Sequence, residues 1–136
     1  MNTPFRPELL MESAWRARER AYAPYSQFAV GAALLTRSGE IFGGCNVENM
    51  SLSLTLCAER AAATAAVHAG QRDFVALAVA ADTTVPIVPC GACRQFLAEF
   101  HPAMPIYTLG RDGVAHSWLL SELLPSPFGG IMVGAS

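Results

Sequence analysis

Two short motifs carry the residues that could do chemistry. The first is Cys57-Ala58-Glu59-Arg60, and the second, further along the chain, is Pro89-Cys90-Gly91-Ala92-Cys93. Structural zinc sites usually take four protein ligands, whereas catalytic sites take three and leave the fourth position to water. The motifs therefore predict a catalytic Zn²⁺ centre held by Cys57, Cys90 and Cys93. Glu59 is not counted as a ligand and is placed to handle the protons of that water.

The three ligands are expected at the N-termini of two helices. Cys57 opens a stretch rich in Ala, Glu and Arg that predicts a helix over residues 57–69. Pro89 suits the start of a second helix over residues 90–100, in which Cys90 and Cys93 share one face. The partial positive charge of both helix ends favours thiolates over thiols. Arg60 is placed to donate hydrogen bonds to sulfur and to offset the net negative charge of three thiolates on one zinc ion.

Two other uses of the cysteines stay open at this point. Cys90 and Cys93 alone could form a redox pair, although the upstream Cys57 motif counts against that use. Cys45 could complete a structural four-cysteine zinc site and make the protein a non-enzyme. It stands, however, alone at a strand end rather than in a ligand-like pair. Three residues lack a potential ligand three or four positions on and are expected to face solvent or to cap helices: His68, His101 and His116.

Composition favours one compact enzyme domain over residues 1–136. The chain is 52% hydrophobic and only 15% charged, against about 25% charged in average domains, so part of its apolar surface is expected to face other subunits. A net charge of −2 lacks the excess of positive charge that is typical of proteins that bind a nucleic acid polymer. Neither a membrane-spanning apolar stretch nor a signal peptide is found, so a cytoplasmic location without a membrane partner is the default. In that setting four cysteines favour metal ligands or free thiols over disulfides.

The elements that must position these residues alternate between helix and strand. A first helix is predicted from Pro7 to Ala21, and a last helix over residues 117–124. The expected strands cover residues 28–36, 41–45, 74–81 and 105–109, with a hairpin at Ser38-Gly39. Residues 74–81 are continuously apolar, as in a strand buried on both faces. The order predicts an α/β protein, a three-layer α/β/α sandwich around a mixed central sheet of about five strands.

The motifs taken together resemble those of the small homotetrameric zinc-dependent cytidine deaminases. Zinc deaminases carry a His-x-Glu or Cys-x-Glu motif followed by Pro-Cys-x-x-Cys. The resemblance extends to three further segments: residues 27–34, Asn46-Val47-Glu48-Asn49, and Arg94-Gln95 directly after Cys93. It covers the chain from about Pro24 to Phe128. It implies the three-layer fold and the hydrolytic deamination of cytidine, and of deoxycytidine, to uridine or deoxyuridine and ammonia in pyrimidine salvage.

The resemblance also implies how a nucleoside would be held. Asn46 and Glu48 are expected to hydrogen-bond the ribose, and Phe28 to pack on the base. Ala58 and the Pro89-Cys90 turn are expected to offer backbone groups to the pyrimidine edge. An ionised Glu48 accepts from hydroxyl groups and would repel a phosphate, which favours nucleosides over nucleotides.

Three further residues have roles that the resemblance implies or leaves open. Phe128 is expected to reach into a neighbouring subunit's active site, so that a homotetramer shares its sites, and Gln95 is expected to support the metal site together with Arg60. Leu52 stands where the family pattern has a tyrosine. Related deaminases that act on blasticidin S share the zinc motifs, so another aminopyrimidine nucleoside is the alternative substrate.

Overall fold

The computed structural model describes residues 5–129, which form one five-stranded sheet with helices on both faces. The strand order is β2-β1-β3-β4-β5. The strands are β1 Val30–Thr36, β2 Ile41–Cys45, β3 Phe74–Ala81, β4 Pro105–Leu109 and β5 Ala115–Leu119. The helices are α1 Pro7–Ala17, α2 Ala58–His68, α3 Gly91–Ala98 and α4 Leu120–Leu123, with short 3₁₀ turns at Arg18–Arg20 and Leu52–Leu54.

The sheet is mixed, as predicted. β1 pairs antiparallel with β2 and with β3, whereas β3 and β4 are parallel and are connected through α3. β5 closes the far edge by pairing antiparallel with β4. Parallel strands need a crossover connection, and α3 provides it, so its N-terminus follows the end of the central strand β3.

The two faces of the central strand explain the three layers. On one face, Ala76, Ala78 and Ala80 pack with α1 residues such as Leu10 and Ala14. On the other, Leu77 and Val79 join a larger core that takes in the buried sides of α2 and α3. Period-two alternation places these two sets on opposite faces of one strand. The predicted strand, buried on both faces, and the predicted three-layer sandwich are confirmed.

Helix α2 lies unusually close to the sheet. Four residues on the buried side of α2 are alanines with no exposed surface: Ala58, Ala62, Ala63 and Ala66. On β2, a Cβ atom built on Gly44 would lie 2.5 Å from the carbonyl oxygen of Ala58 and would also clash with the backbone nitrogen of Ala62. Small residues on both sides therefore fix the first turn of α2 against the edge of the sheet.

The predicted last helix is wrong at its beginning. Ala115–Leu119 is the strand β5, and only Leu120–Leu123 is helical. Residues 117–124 are rich in leucine at helical spacing. The edge of β4, however, offers a row of unpaired backbone groups, and Ala115–Leu119 hydrogen-bonds to this edge as a strand instead of forming a helix. None of the helices among residues 5–129 has both the length and the apolar character needed to span a bilayer.

Candidate metal centre and active-site cleft

The three motif cysteines come together at the N-termini of two neighbouring helices. Cys57 is the N-cap residue of α2 and Cys90 is the N-cap residue of α3, both with extended backbone conformations. Neither side chain caps its own helix, so both sulfurs remain available to another partner. Cys93 lies in the first turn of α3 and is fully buried. The predicted placement of the ligands at two helix ends is therefore observed.

The sulfur spacing fits a zinc ion. The three Sγ atoms all lie within 4.8 Å of one another, and those of Cys57 and Cys90 are 3.7 Å apart. A disulfide would need about 2.05 Å. Tetrahedral zinc with bonds of about 2.3 Å to sulfur separates its thiolates by about 3.8 Å. Within residues 5–129, Cys45 is not part of this group of ligand atoms, because it ends β2 opposite Gly31.

The surroundings of the sulfurs favour negative charge. The pKa of Cys57 falls to about 5, chiefly because the Cys93 thiol hydrogen-bonds to it, and hydrogen bonds from Arg60 and Cys90 add to the effect. The same shared proton and its burial raise the pKa of Cys93. Arg60 Nη2 donates to Cys57 Sγ over 3.4 Å, as predicted for the residue that offsets thiolate charge. A divalent metal would take the place of the shared proton.

Glu59 is the second residue of α2, and only 5% of its surface is exposed. Burial first, and then the negative charge of Cys57, raise the pKa of its carboxyl to about 7, against lowering by a backbone hydrogen bond and by Arg60. A divalent cation among the thiolates would pull this pKa down. Glu59 is thus a buried acid whose proton can be exchanged near neutral pH.

A cleft of about 320 Å³ opens over the sulfurs, a size in the range of small-molecule sites. It brings together the residues predicted to line the site within the chain except Cys93 and Pro89, which are buried. The wall consists of Ser26, Phe28, Val30, Asn46, Glu48, Thr55, Cys57, Ala58, Glu59, Ile87, Val88 and Cys90.

Asn46 holds the segment that runs from Phe28 to Val30, where β1 begins. Its Nδ2 donates to the carbonyl oxygen of Phe28 over 2.8 Å, and its Oδ1 accepts from the N–H of Val30 over 2.9 Å. One Nδ2 proton is left over for a ligand. Phe28 itself is partly exposed in the cleft.

Glu48 accepts hydrogen bonds from the turn opposite it. Its Oε1 takes the N–H of Tyr25 over 2.9 Å and that of Ser26 over 3.1 Å, and its Oε2 takes the Ser26 hydroxyl. These bonds, the hydroxyl first, lower the pKa of the carboxyl. Glu48 is therefore an ionised, preoriented acceptor at the cleft wall.

Gln95 and Phe128 are joined by two hydrogen bonds. The side-chain amide of Gln95 accepts from the N–H of Phe128 over 2.9 Å and donates to its carbonyl oxygen over 3.1 Å. The ring of Phe128 is 81% exposed and is not part of the cleft in its own chain. The hydrogen bonds of Gln95 thus secure the segment that carries Phe128, whereas the support of the thiolates comes from Arg60.

Sequence reasoning assigned no role to several residues that shape the site. Arg94 joins the Pro89 turn to the end of helix α4, because its Nε donates to Pro89 O over 2.7 Å and its Nη1 to Leu123 O over 3.1 Å. Its position directly after Cys93 was the feature of the sequence that could have pointed to a role in the site. Ser26, Thr55, Ile87 and Val88 line the cleft, and only the neighbourhood of Ser26 to Phe28 pointed to any of them.

Comparison with known proteins gives consistent matches. Residues 6–109 match the family model described as the cytidine and deoxycytidylate deaminase zinc-binding region. A cytidine deaminase of Sporosarcina psychrophila is 51% identical over 122 residues, which cover 89% of this chain and 90% of the relative. One of Halalkalibacterium halodurans is 50% identical over 122 residues, which cover 89% of this chain and 92% of the relative.

Solved structures agree with these sequence matches. The crystal structure of a cytidine deaminase from Burkholderia pseudomallei superimposes with a TM-score of 0.88 at 46% identity, over 91% of this chain and 100% of the other. That of Mycobacterium tuberculosis superimposes with a TM-score of 0.80 at 39% identity, over 93% of this chain and 99% of the other.

Proposed function

The chain belongs to the cytidine and deoxycytidylate deaminase zinc-binding family, and we propose that it hydrolyses cytidine, and deoxycytidine, to the uracil nucleoside and ammonia. Membership confirms the family that the motifs predicted. One observation carries the activity: Glu59, a buried carboxylic acid, lines the same cleft as two of the three clustered cysteines. A purely structural zinc site would not need such a group beside its ligands.

Zinc is the metal that the donor set favours, because three thiolates at this spacing suit a soft tetrahedral ion. When bound, it supplies a water that ionises near neutral pH and a positive charge beside the reacting carbon. Three thiolates leave the site with about one excess negative charge. The guanidinium of Arg60 offsets that charge and keeps the sulfur of Cys57 in place.

Glu59 moves the protons of the reaction. It takes one proton from the attacking water and delivers it to N3 of the pyrimidine, which makes C4 electrophilic, and the water oxygen adds there. It then carries the proton of the new C4 hydroxyl to the amino nitrogen. The bond from C4 to that nitrogen breaks, ammonia leaves and the C4 carbonyl of the product remains. Burial raises the pKa of this carboxyl and a bound cation would lower it, so that Glu59 can both accept and donate a proton in one turnover.

The cleft wall suggests how the nucleoside is oriented. Phe28 would pack on the base, while the free Nδ2 proton of Asn46 and the ionised Glu48 would meet the ribose hydroxyls. Ala58 is the first residue of α2, so its N–H has no partner within the helix and can donate to the pyrimidine edge together with the Pro89-Cys90 turn. A negative charge at Glu48 disfavours a substrate phosphate.

We propose further that the protein works as a homotetramer with shared sites. Strongly exposed apolar residues support association, because exposed apolar patches mark interaction surfaces: Met50, Leu52 and Leu54 follow one another closely along the chain, and Phe128 is exposed as well. Phe128 is the residue proposed to enter a neighbour's site. Its backbone is fixed by Gln95 while its ring remains uncovered.

The proposed setting is pyrimidine salvage in the cytoplasm. All four cysteines are free thiols, which suits a reducing compartment. The substrate is a free nucleoside and not a nucleic acid polymer, since the net charge of −2 gives no electrostatic footprint for one.

A substrate panel tests this function. Zinc-loaded protein should release ammonia from cytidine and deoxycytidine, and much less from cytosine, the monophosphates and adenosine. Blasticidin S belongs in the panel because Leu52 replaces the family's tyrosine. Ammonia release from blasticidin S alone would overturn the cytidine assignment in favour of that substrate.

Glu59→Gln tests the mechanism within the same assay. The variant should fold and keep its zinc, because the thiolates and Arg60 are untouched, while kcat falls by about 10²–10⁴-fold or more. Glu8→Gln, on the exposed side of α1, is the matched control and should behave like the parent. Near-parent ammonia release by a zinc-loaded Glu59→Gln protein would refute the proton transfers described above.

A further inference from the structure

One hydroxyl joins two of the proposed nucleoside contacts. The Oγ of Ser26 accepts the N–H of Phe28 over 3.0 Å and donates to Oε2 of Glu48. The direction of both bonds follows from the groups themselves, because an amide N–H can only donate and an ionised carboxylate can only accept. Among residues 5–129, Ser26 is thus the one side chain that bonds to both the carboxylate proposed to hold the ribose and the backbone of the aromatic residue proposed to hold the base.

The turn that carries this hydroxyl is tightly constrained. Gln27, between Ser26 and Phe28, has a φ of 57°, in the left-handed region that residues with a side chain rarely adopt. Such a conformation persists where the surroundings hold it in place. Here the N–H of Gln27 bonds to Ala23 O over 2.9 Å, and two successive N–H groups on its N-terminal side bond to Glu48.

Direct backbone pairing between the two segments is interrupted, and the Ser26 hydroxyl is one of the three donors that connect them through Glu48. Tyr22 donates to Asn46 O over 2.9 Å and accepts from the N–H of Glu48 over 2.8 Å, which aligns the two segments at one end. At the other end, Asn46 fixes the carbonyl oxygen of Phe28. Between these two points, the segments are joined through the side chain of Glu48 and its partners in the turn. The hydroxyl is also the largest of the influences that lower the pKa of Glu48.

We propose that Ser26 is a positioning residue for nucleoside binding: it sets the distance and orientation between Glu48 and Phe28, so that ribose and base are engaged together. This inference rests on the proposed function, since it takes these two residues as the ribose and base contacts. Ser26 does not act on the reacting atoms. Its loss should therefore weaken binding and leave the proton transfers of Glu59 unchanged.

Kinetics on cytidine test the inference. Ser26→Ala should raise KM by about 10- to 100-fold, the range for losing a hydrogen bond to a charged group, while kcat stays within about two-fold. Ser26→Thr keeps the hydroxyl and should have a KM close to that of the parent. Ser26→Val has nearly the shape of Ser26→Thr but lacks the hydroxyl, so its KM should be raised as in Ser26→Ala. Ser13→Ala removes a hydroxyl that bonds only within α1 and is the matched control.

A double-mutant cycle identifies the route of the effect. In a Glu48→Gln background, Ser26→Ala should add little to the rise in KM, because much of its effect runs through that carboxylate. Full additivity would overturn the inference, as would an unchanged KM in Ser26→Ala or an equal KM for the Thr and Val variants. If Ser26→Ala does not fold, the Thr and Val pair still decides.

Hydrogen exchange gives a readout that does not depend on catalysis. The amide proton of Phe28 should exchange faster in Ser26→Ala and Ser26→Val than in the parent or Ser26→Thr, since its acceptor is lost. If the parent protein had no cytidine deaminase activity, the proposed function would be refuted. The exchange rates would still show whether Ser26 holds the backbone of Phe28. Unchanged exchange at Phe28 would overturn the inference whatever the activity.

Discussion

Replacing Gly44 by alanine should damage the active site from the far side of helix α2. Gly44 lies on β2 beneath the first turn of that helix, which carries Glu59 and begins at Cys57. A Cβ atom at Gly44 would lie 2.5 Å from the carbonyl oxygen of Ala58 and 3.0 Å from the Cβ of Ala61. The obstructing atoms are mainly backbone, so no side-chain rotation can relieve the clash.

The size of the clash sets the expected effect. The nearest atom is the backbone nitrogen of Ala62 at 2.4 Å, and ordinary contact begins near 3.4 Å, so the first turn of α2 must move by about 1 Å relative to β2. Overpacking of this kind costs typically about 1–3 kcal/mol of stability. A misplacement of about 1 Å at a catalytic group can cost about 10²-fold in rate. Gly44→Ala should therefore lower both the melting temperature and kcat, with weaker zinc retention because Cys57 moves with the helix.

Gly43→Ala supplies the matched control on the same strand. Its added Cβ would meet the Cβ of Ala17 at 3.8 Å and the carbonyl oxygen of Ala32 at 3.9 Å, both ordinary contacts. Thermal unfolding, zinc content and ammonia release from cytidine should be measured for both variants and the parent. If Gly44→Ala matches Gly43→Ala in all three measurements, then α2 is not held against the sheet as described here.

Other substitutions test the remaining parts of the site. Cys90→Ala should lose the one zinc bound per chain, measured by metal analysis, while Cys45→Ala keeps it; loss in the second variant would point to a fourth ligand. Glu48→Gln should lower kcat/KM for cytidine by roughly 1–3 kcal/mol, because an amide replaces an acceptor-only group, and unchanged kinetics would remove Glu48 from the ribose. Phe128→Ala and Gln95→Ala should both reduce activity and weaken assembly in light scattering, and a fully active monomer of the parent protein would contradict the shared sites.

The sequence was a good guide where local pattern and final environment agree. Its unbroken apolar character identified the central strand β3, which is buried on both faces. The zinc motifs placed Cys57 and Cys90 at helix N-termini because proline and strong helix formers surround them. Those signals are local, so a single sequence suffices to predict them.

Prediction from the sequence was wrong or incomplete where the structure of a segment depends on contacts with residues that are distant in the sequence. The leucines of residues 117–124 suit a helix, yet Ala115–Leu119 pairs with β4, and nothing within that segment encodes the presence of a free sheet edge. The hydrogen bonds between the amide of Gln95 and the backbone of Phe128, which is distant in the sequence, could not be predicted from the sequence either. Such contacts form only after the chain has folded.

The sequence by itself therefore determined which groups are available for the proposed chemistry: three cysteines, one glutamate beside the first of them and an arginine that can balance their charge, all within two motifs. The tertiary structure decided how that chemistry is controlled. It set the sulfurs at the spacing of zinc, buried Glu59 so that its pKa approaches 7, and joined Ser26 to Glu48 across the cleft. The physical reason is that ligand identity belongs to single residues, whereas distance, burial and hydrogen bonding belong to pairs of segments that only the fold brings together.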